Sequence, residues 1–203
     1  MCGPSGRRPL PTIDILLRIF EELNKNGPLP KQAILVTIDV SALYTSILAM
    51  GENGGMQAFE KCMEKRQNKL IPTAFLMKCL EEVLLGNIFE YADKYWRQVI
   101  GTAMGTRIAP SYAILFMHWL ETTLLLGKWT GTQPYVWKRF IDDIFIVWTS
   151  TEAELKKFIS HINSCHDLIK FTVEYDMDTN KIPFLDMEVS IDANGFIKTD
   201  LHG

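Results

Sequence analysis

The sequence predicts an α+β domain in which helices pack on one face of an antiparallel β-sheet. Segments with apolar residues at helical spacing alternate with short β-rich segments, and the tail of the chain is mostly β-rich. The 203 residues suit one domain, and a hydrophobic content of 47% is enough for a sizeable core. These observations argue against a disordered chain.

The first half of the chain predicts three helices, one strand and a hairpin. Residues 13–23 have apolar residues at helical spacing, and Gly27-Pro28 ends that helix. The apolar, β-rich run at 34–40 predicts a strand with Asp39 near its C-terminal end. The remaining elements of this half are expected at 56–69 (helix), 72–85 (helix) and 87–99 (hairpin).

The second half continues with a loop, helices and strands. The glycine-containing loop GTAMGTRIAP precedes an apolar helix predicted at 111–126. Thr151 and Glu154 form a capping box that opens a helix extending to about Ser164. The tail predicts strands in KFTVEYD, PFLDMEVSID and FIKTDL, with a hairpin turn at Asn194-Gly195 between the last two.

Composition narrows the possible environments. The net charge is −3 and the pI about 5.8, so no global basic field indicates a nucleic-acid partner. The four cysteines show no CxxC spacing, and the His161, Cys165 and His166 group lacks a second ligand pair, which favours reduced thiols over a zinc site. The N-terminus has no apolar signal segment and no run is long enough to span a membrane. We therefore expect a soluble, intracellular protein with no membrane partner.

Two adjacent carboxylates interrupt an apolar run in KRFIDDIFIVW, residues 138–148. Short strands predicted at 136–141 and 144–148 meet at Asp142 and Asp143. A pair of aspartates between strands is by itself most often a solvated turn. The long apolar flanks, and Asp39 at the end of another β-rich run, favour a site instead.

Carboxylates packed close together raise each other's pKa unless a cation compensates them. Hard oxygen ligands of this kind suit Mg²⁺ or Mn²⁺, and two such ions about 4 Å apart can support nucleotidyl transfer. The spacing makes such a site plausible without being specific to it.

Four segments, in order, resemble the successive palm motifs of reverse transcriptases, and most closely those of Penelope-like retroelements. They are VTIDVSALYTSI (36–47), GTAMGTRIAPSYAILFM (101–117), RFIDDIFIVW (139–148) and IPFLDMEV (182–189). The resemblance implies a polymerase palm and RNA-directed DNA polymerase activity, in which a dNMP is transferred to a primer 3′-OH. It also implies an RNA template, a DNA primer, a dNTP and two Mg²⁺ (or Mn²⁺) ions, and it favours a nuclear location for a functional retroelement product.

Carried over to this sequence, the resemblance makes Asp39 and Asp142 the side-chain metal ligands. The Val40 carbonyl assists, and Asp143 supports the site. Tyr44 matches the aromatic residue that lies beneath the sugar and excludes a 2′-OH; a tyrosine of the core at a strand–helix junction remains the alternative. The residues that match the loop positioning template and nucleotide are Met104, Gly105, Thr106 and Pro110.

Weaker predictions concern basic residues. The lysines Lys61, Lys65 and Lys69 are spaced along one helix face and could follow a nucleic-acid backbone, although a solvated face explains them as well. Arg139 could offset phosphate charge, or simply end a strand. Lys181 could donate a proton to pyrophosphate, with an ordinary turn lysine as the alternative. The resemblance also matches the FLD segment at 184–186 to the support of the primer strand.

Family members are much longer than this chain, with fingers, a thumb and usually a GIY-YIG endonuclease domain. We therefore expect an N-terminal segment with one helix over 1–30 and a palm over 31–203, truncated at both ends, with fingers and thumb largely missing. Leu48 and Ile114 stand where the family tends to have Pro and Asn. Two alternatives stay open: a catalytically inactive remnant that binds nucleic acid or protein, and a DNA-dependent polymerase palm.

Overall fold

The computed structural model describes residues 11–98, 100–103 and 105–201. Its helices are α1 (Pro11–Lys25), α2 (Leu43–Ser46), α3 (Gly55–Glu64), α4 (Thr73–Leu85), α5 (Ala109–Leu120) with a π-helical turn (Glu121–Leu125), and α6 (Glu152–Ser164). Its strands are β1 (Ile34–Val40), β2 (Ile88–Tyr91), β3 (Lys94–Arg97), β4 (Val136–Phe140), β5 (Asp143–Trp148), β6 (Phe171–Glu174), β7 (Lys181–Phe184), β8 (Met187–Ile191) and β9 (Ile197–Leu201).

The main sheet has the strand order β4-β5-β1-β6, and its neighbouring strands are antiparallel. Because side chains alternate across a strand, the even-numbered residues of β1 and β5 face one side and the odd-numbered residues face the other. On the even side, Ile38, Ile146 and Trp148 pack with α3–α6 in a first core cluster. Helices therefore cover one face of an antiparallel sheet, which confirms the predicted fold class.

The other face of the main sheet is also covered. Leu35, Phe145 and Val147 pack there with α1 and with a second antiparallel sheet of order β7-β8-β9, forming a second core cluster. The Asn24 amide ties α1 to this sheet, because it donates to the Ile197 carbonyl and accepts from the Ile197 N–H, both at 2.9 Å. The sequence did not indicate this second layer.

Several predicted boundaries differ from those observed. Helix α3 ends at Glu64, so residues 65–69, which were predicted to be helical, lie outside the helix. The predicted strand PFLDMEVSID is a hairpin, in which β7 and β8 flank a two-residue turn at Leu185-Asp186. The turn between β4 and β5 is Ile141-Asp142, and Asp143 already belongs to β5.

The β2–β3 hairpin projects from the body of the chain. All eight of its strand residues are exposed, including Tyr91 (71%) and Tyr95 (77%).

Among the described residues, no helix combines the length and apolar character that a membrane crossing requires.

Candidate active site

The three aspartates singled out in the sequence meet at one end of the main sheet. The antiparallel β1–β5 register pairs Ile38 with Ile144, so Asp39, which follows Ile38, and Asp143, which precedes Ile144, lie opposite each other at the same end of the sheet. Both are odd-numbered and therefore extend from the face that α1 and the second sheet cover, opposite α3–α6. Asp142 stands beside them in the β4–β5 turn. The structure thus brings together the residues that the resemblance identified as catalytic.

A cavity of about 140 Å³ opens at this end of the sheet. Asp39 and Asp143 contribute to its wall, and the β7–β8 turn closes its far side. The lining residues are Thr37, Ile38, Asp39, Asp143, Thr172, Glu174, Pro183, Phe184 and Leu185. The FLD segment therefore lies against the aspartates in space, although more than 40 residues separate the two in sequence.

The electrostatics show mutual repulsion between these carboxylates. Partial burial, together with the charges of Asp142 and Asp39, raises the pKa of Asp143 to about 6. Burial and the charges of Asp142 and Glu174 raise the pKa of Asp39. Among the described residues no lysine or arginine forms a salt bridge with these groups. Negative charge is therefore concentrated at this end of the sheet, and a bound cation would reduce the repulsion between the carboxylates.

The donor set fits Mg²⁺ or Mn²⁺ in a particular way. Within the described ranges, no cluster of three or more His, Cys, Asp or Glu side chains is arranged to hold a metal ion. Mg²⁺, however, commonly takes one or two protein carboxylates and completes its octahedron with water and substrate phosphates. Asp39 and Asp142 can provide two such carboxylates, and the buried Val40 offers only its backbone carbonyl. The arrangement fits an ion that arrives with a nucleotide.

Tyr44 lies close to the glycine loop that the resemblance assigns to nucleotide positioning. The Thr102 N–H donates to the Tyr44 carbonyl at 2.7 Å. Gly101 has φ +78°, and a Cβ there would come within 2.6 Å of the Thr45 Cα, so only glycine permits this approach. The Tyr44 side chain is partly buried against the first core cluster, in agreement with the core alternative, while its backbone is held by the loop.

The remaining loop residues occupy the turn that leads into α5. The Thr106 hydroxyl donates to the Ala103 carbonyl at 3.1 Å, and exposed Pro110 lies in the first turn of α5. Gly105 has φ +92° and open space around it, so it leaves room for a ligand. Met104 lies outside the described residues. The loop is thus joined to Tyr44 and exposed at Gly105.

Arg139 has an environment that argues against the predicted nucleic-acid contact. Its side chain is only 11% exposed and forms an ion pair with Glu121, at 2.7 Å from Nε to Oε1. The guanidinium also donates to the Ile141 carbonyl at 3.0 Å, and Trp137 donates to the same Glu121 oxygen. Arg139 is therefore largely buried, and it links Glu121 to the turn that carries Asp142.

Lys181 lies at the wrong end of the sheet for a proton donor. Its neighbour Asn180 is hydrogen-bonded to Ala33 and Leu35, at the start of β1. Asp39 is four residues beyond Leu35, about 13 Å along the strand. A hydrogen bond to Glu188 at 2.9 Å also raises the pKa of Lys181, which opposes proton release. The geometry corrects the predicted role in favour of the structural alternative.

The predicted lysine stripe is also corrected. Lys61 lies on α3 and pairs with Glu64, and Lys65 is the C-cap residue that follows the helix. Lys69 lies beyond the helix in an irregular segment, so the three lysines do not share one helix face. The chain breaks helical spacing before the third residue, which removes the basis of the prediction.

Sequence reasoning missed four residues that contribute to the site. Glu174 lines the cavity and raises the pKa of Asp39; its only sequence signal was alternation with Thr172 along a β-rich run. Gly101 and Thr102 were part of the quoted GTAMGT motif but were not chosen as site residues. Glu121 gave no local signal, because its partners Trp137 and Arg139 are remote in sequence.

Comparisons with known proteins agree on the architecture. No protein-family model and no curated protein matches the sequence. The structure is similar to apo telomerase from Candida tropicalis truncated from its C-terminal domain (TM-score 0.63, 13% identity, 93% of this chain and 40% of that one). It is also similar to telomerase from Candida albicans in complex with a TWJ fragment of telomeric RNA (TM-score 0.67, 13% identity, 93% and 33%).

The chain thus has a polymerase palm-type fold. Its structural neighbours are telomerase reverse transcriptases, and it spans 33–40% of their length in these two structures. At 13% identity the similarity establishes the fold, and the chemistry must be argued from the site.

Proposed function

We propose that this chain carries the catalytic palm of an RNA-directed DNA polymerase of the Penelope-like retroelement kind. The observation that carries the proposal is that Asp39, Asp142 and Asp143 lie together at one end of the main sheet, where the pKa values of Asp39 and Asp143 are raised. The palm-type fold and the order of the four motifs support it. An RNA template is further supported by the Candida albicans neighbour, which is in complex with an RNA fragment.

The reaction is attack of a primer 3′-hydroxyl on the α-phosphorus of a dNTP, with release of pyrophosphate. Asp39 and Asp142 would hold Mg²⁺ or Mn²⁺ with help from the Val40 carbonyl, and Asp143 would support them. When bound, these ions would supply Lewis-acid stabilisation of the negative charge that develops during the transfer. Tyr44 lies under the sugar and excludes a 2′-hydroxyl, and the loop with Gly105 and Thr106 orients the base and nucleotide.

The β7–β8 turn provides a further element of this proposal. Phe184 and Leu185 line the same cavity as Asp39 and Asp143. A primer end resting on this turn would be delivered directly to the carboxylates. The placement agrees with the primer-support role implied for the FLD segment.

Primer extension on an RNA template with dNTPs and Mg²⁺ tests the proposal. Asp39→Asn and Asp142→Asn should each reduce extension by at least about 10³-fold. Each substitution removes a carboxylate that would bind the cations, and the charge of these cations stabilises the transition state. Asp93→Asn, at the matched position of the exposed β2–β3 turn, is the control and should leave extension nearly unchanged, because Asp93 has no part in the proposed site. Equal activity of Asp142→Asn and the unaltered chain would rule out this site.

A non-catalytic binding module is the second candidate, and the exposed apolar surface favours it. Leu70 is 87% exposed, Phe75 59% and Tyr91 71%, which indicates surfaces that another domain or partner could cover. Calorimetry separates the two candidates. A polymerase palm should bind dNTP only when Mg²⁺ is present, whereas a binding module should bind RNA–DNA hybrid without Mg²⁺-dependent dNTP binding.

A further inference from the structure

We propose that Arg139 is a positioning residue for the candidate active site: its guanidinium joins the β4–β5 turn to α5 and thereby fixes the place of Asp142 and Asp143. The proposal rests on the proposed function, because it concerns the geometry of the same carboxylates. It replaces the nucleic-acid contact expected for Arg139 from the sequence.

The guanidinium uses all three of its nitrogens. Nε donates to Glu121 Oε1 at 2.7 Å, Nη1 donates to the Ile141 carbonyl at 3.0 Å, and Nη2 donates to the Ile114 carbonyl at 3.3 Å. Trp137 Nε1 donates a second hydrogen bond to the same Glu121 oxygen, at 3.0 Å. The side chains of Arg139 and Glu121 are 11% and 9% exposed. A planar fork with fixed donor directions holds such an arrangement in a way that a lysine ammonium does not.

The Ile141 carbonyl is the important acceptor. Ile141 has φ +54°, a left-handed conformation that is rare for a β-branched residue. Such a conformation persists only when its surroundings determine it, and it is often found at functional sites. Ile141 directly precedes Asp142, so fixing its carbonyl also fixes where the Asp142 carboxylate begins. The hydrogen bond from Arg139 therefore fixes the position of a turn whose backbone shape Leu185 also adopts without such a bond from the described residues.

The other contacts of Arg139 lead to the second half of the site. Ile114 belongs to α5, whose first turn follows the GTAMGT loop, and Glu121 begins the π-helical turn at the end of the same helix. π-helical turns inside helices are frequently found at functional sites. One buried ion pair thus connects the helix behind the nucleotide loop to the turn that carries the carboxylates.

Binding of Mn²⁺ alone, followed by electron paramagnetic resonance, tests this role directly. Loss of a residue that orients metal ligands typically weakens metal affinity by about 10–100-fold. Arg139→Met should therefore raise the Mn²⁺ dissociation constant by at least about tenfold, and Arg139→Lys should recover part of the loss because it keeps the Glu121 pair. Adding Glu121→Gln to Arg139→Met should weaken Mn²⁺ binding no further, since both substitutions break one link.

Leu155→Ala is the matched stability control. Leu155 is fully buried in α6 within the first core cluster, on the face of the main sheet opposite to Asp143, so its truncation should lower the unfolding temperature without changing Mn²⁺ affinity. If Arg139→Met lowers the unfolding temperature but leaves Mn²⁺ affinity unchanged, Arg139 is structural only and the positioning role is overturned. Absence of Mn²⁺ binding by the unaltered chain would instead overturn the proposed function, and the positioning role with it.

Discussion

The β4–β5 and β7–β8 hairpins have the same turn and face the same cavity, yet their sequences differ at the position after the turn. One reads Phe140-Ile141-Asp142-Asp143 and the other Phe184-Leu185-Asp186-Met187. In each, the aromatic residue pairs with the fourth residue across a two-residue turn. Ile141 and Leu185 both have φ +54°, in a position where glycine or asparagine would be the usual choice.

The fourth residue separates a candidate active site from a structural turn. Asp143 is half-buried and faces the cavity, whereas Met187 is fully buried in the second core cluster. The backing differs as well. Arg139 holds the carbonyl of Ile141, while no side-chain hydrogen bond reaches Leu185 or Asp186 from the residues that the structure describes. The turn itself is therefore generic, and the chemistry comes from the next residue and from the support behind it.

Making the second hairpin resemble the first should have the largest effect. Met187→Asp would place a carboxylate among apolar side chains with no described cation to pair with it. We expect a loss of about 4 kcal/mol or more in the free energy of unfolding, enough to unfold many single domains. Urea denaturation followed by tryptophan fluorescence measures this. Met187→Leu, which keeps the volume, should lose less than about 1.5 kcal/mol; equal losses in both variants would mean that packing, not charge, decides the position.

The reverse comparison concerns the carboxylate that the first hairpin tolerates. The pKa of Asp143 is about 6, so between about pH 4 and pH 6 the folded chain binds a proton that the unfolded chain has released. The free energy of unfolding therefore falls as pH rises through this window. In the absence of metal, Asp143→Asn should be more stable than the unaltered chain by about 1 kcal/mol at pH 8, after allowance for solvent screening, and equal to it near pH 4.

Denaturation at the two pH values, with a chelator present, checks this sign. Asp186→Asn, the exposed match in the other turn, should change the free energy of unfolding by less than about 0.5 kcal/mol. Adding Mg²⁺ should stabilise the unaltered chain and reduce the advantage of Asp143→Asn, because binding to the folded state raises its stability. A variant that is less stable than the unaltered chain at pH 8 would contradict the repulsion between these carboxylates.

The sequence was sufficient for the parts of the site that depend on local pattern. The apolar run of β1 predicted the strand that ends near Asp39. The N-cap half of the capping box at Thr151 is confirmed by the Glu154 N–H, which donates to the Thr151 hydroxyl at 3.3 Å, while the Glu154 carboxylate pairs with Lys157. The apolar flanks of Asp142 predicted two strands that meet at the aspartates. These signals lie within one or two elements, where alternation and capping determine the structure.

The rest depended on contacts between remote segments. The role of Arg139 requires Glu121, which is 18 residues away on another element, so sequence alone offered only an exposed strand end. The β7–β8 turn was missed because Leu185-Asp186 contains neither glycine nor asparagine, the residues that normally mark such turns. Lys181 stood next to a recognisable motif, but the direction of β7 carries it away from Asp39. Pairing, direction and burial are tertiary properties that no local pattern specifies.

The β2–β3 hairpin is a third two-residue turn, and it places left-handed backbone away from both the core and the active-site carboxylates; unlike Asp142 and Asp186, its second turn residue, Asp93, also has positive φ. Tyr91-Ala92-Asp93-Lys94 repeats the aromatic–aliphatic–aspartate order, with φ +51° at Ala92 and +56° at Asp93, and it is fully exposed. Ala92→Gly should raise the free energy of unfolding by about 0.5–1 kcal/mol, because glycine adopts this conformation without steric conflict and Ala92 has no packing to lose.

Urea denaturation of Ala92→Gly and Ala92→Val measures this smallest effect. Valine should move stability in the opposite direction to glycine, since a β-branched residue fits left-handed backbone poorly. Ile141→Gly should show no comparable gain, because Ile141 also packs against the first core cluster and its truncation offsets the relief of strain. If the three two-residue turns instead gained equally from glycine, the hydrogen bond from Arg139 to Ile141 would contribute nothing, and the difference between the β4–β5 turn and the other two would lie in the carboxylates alone.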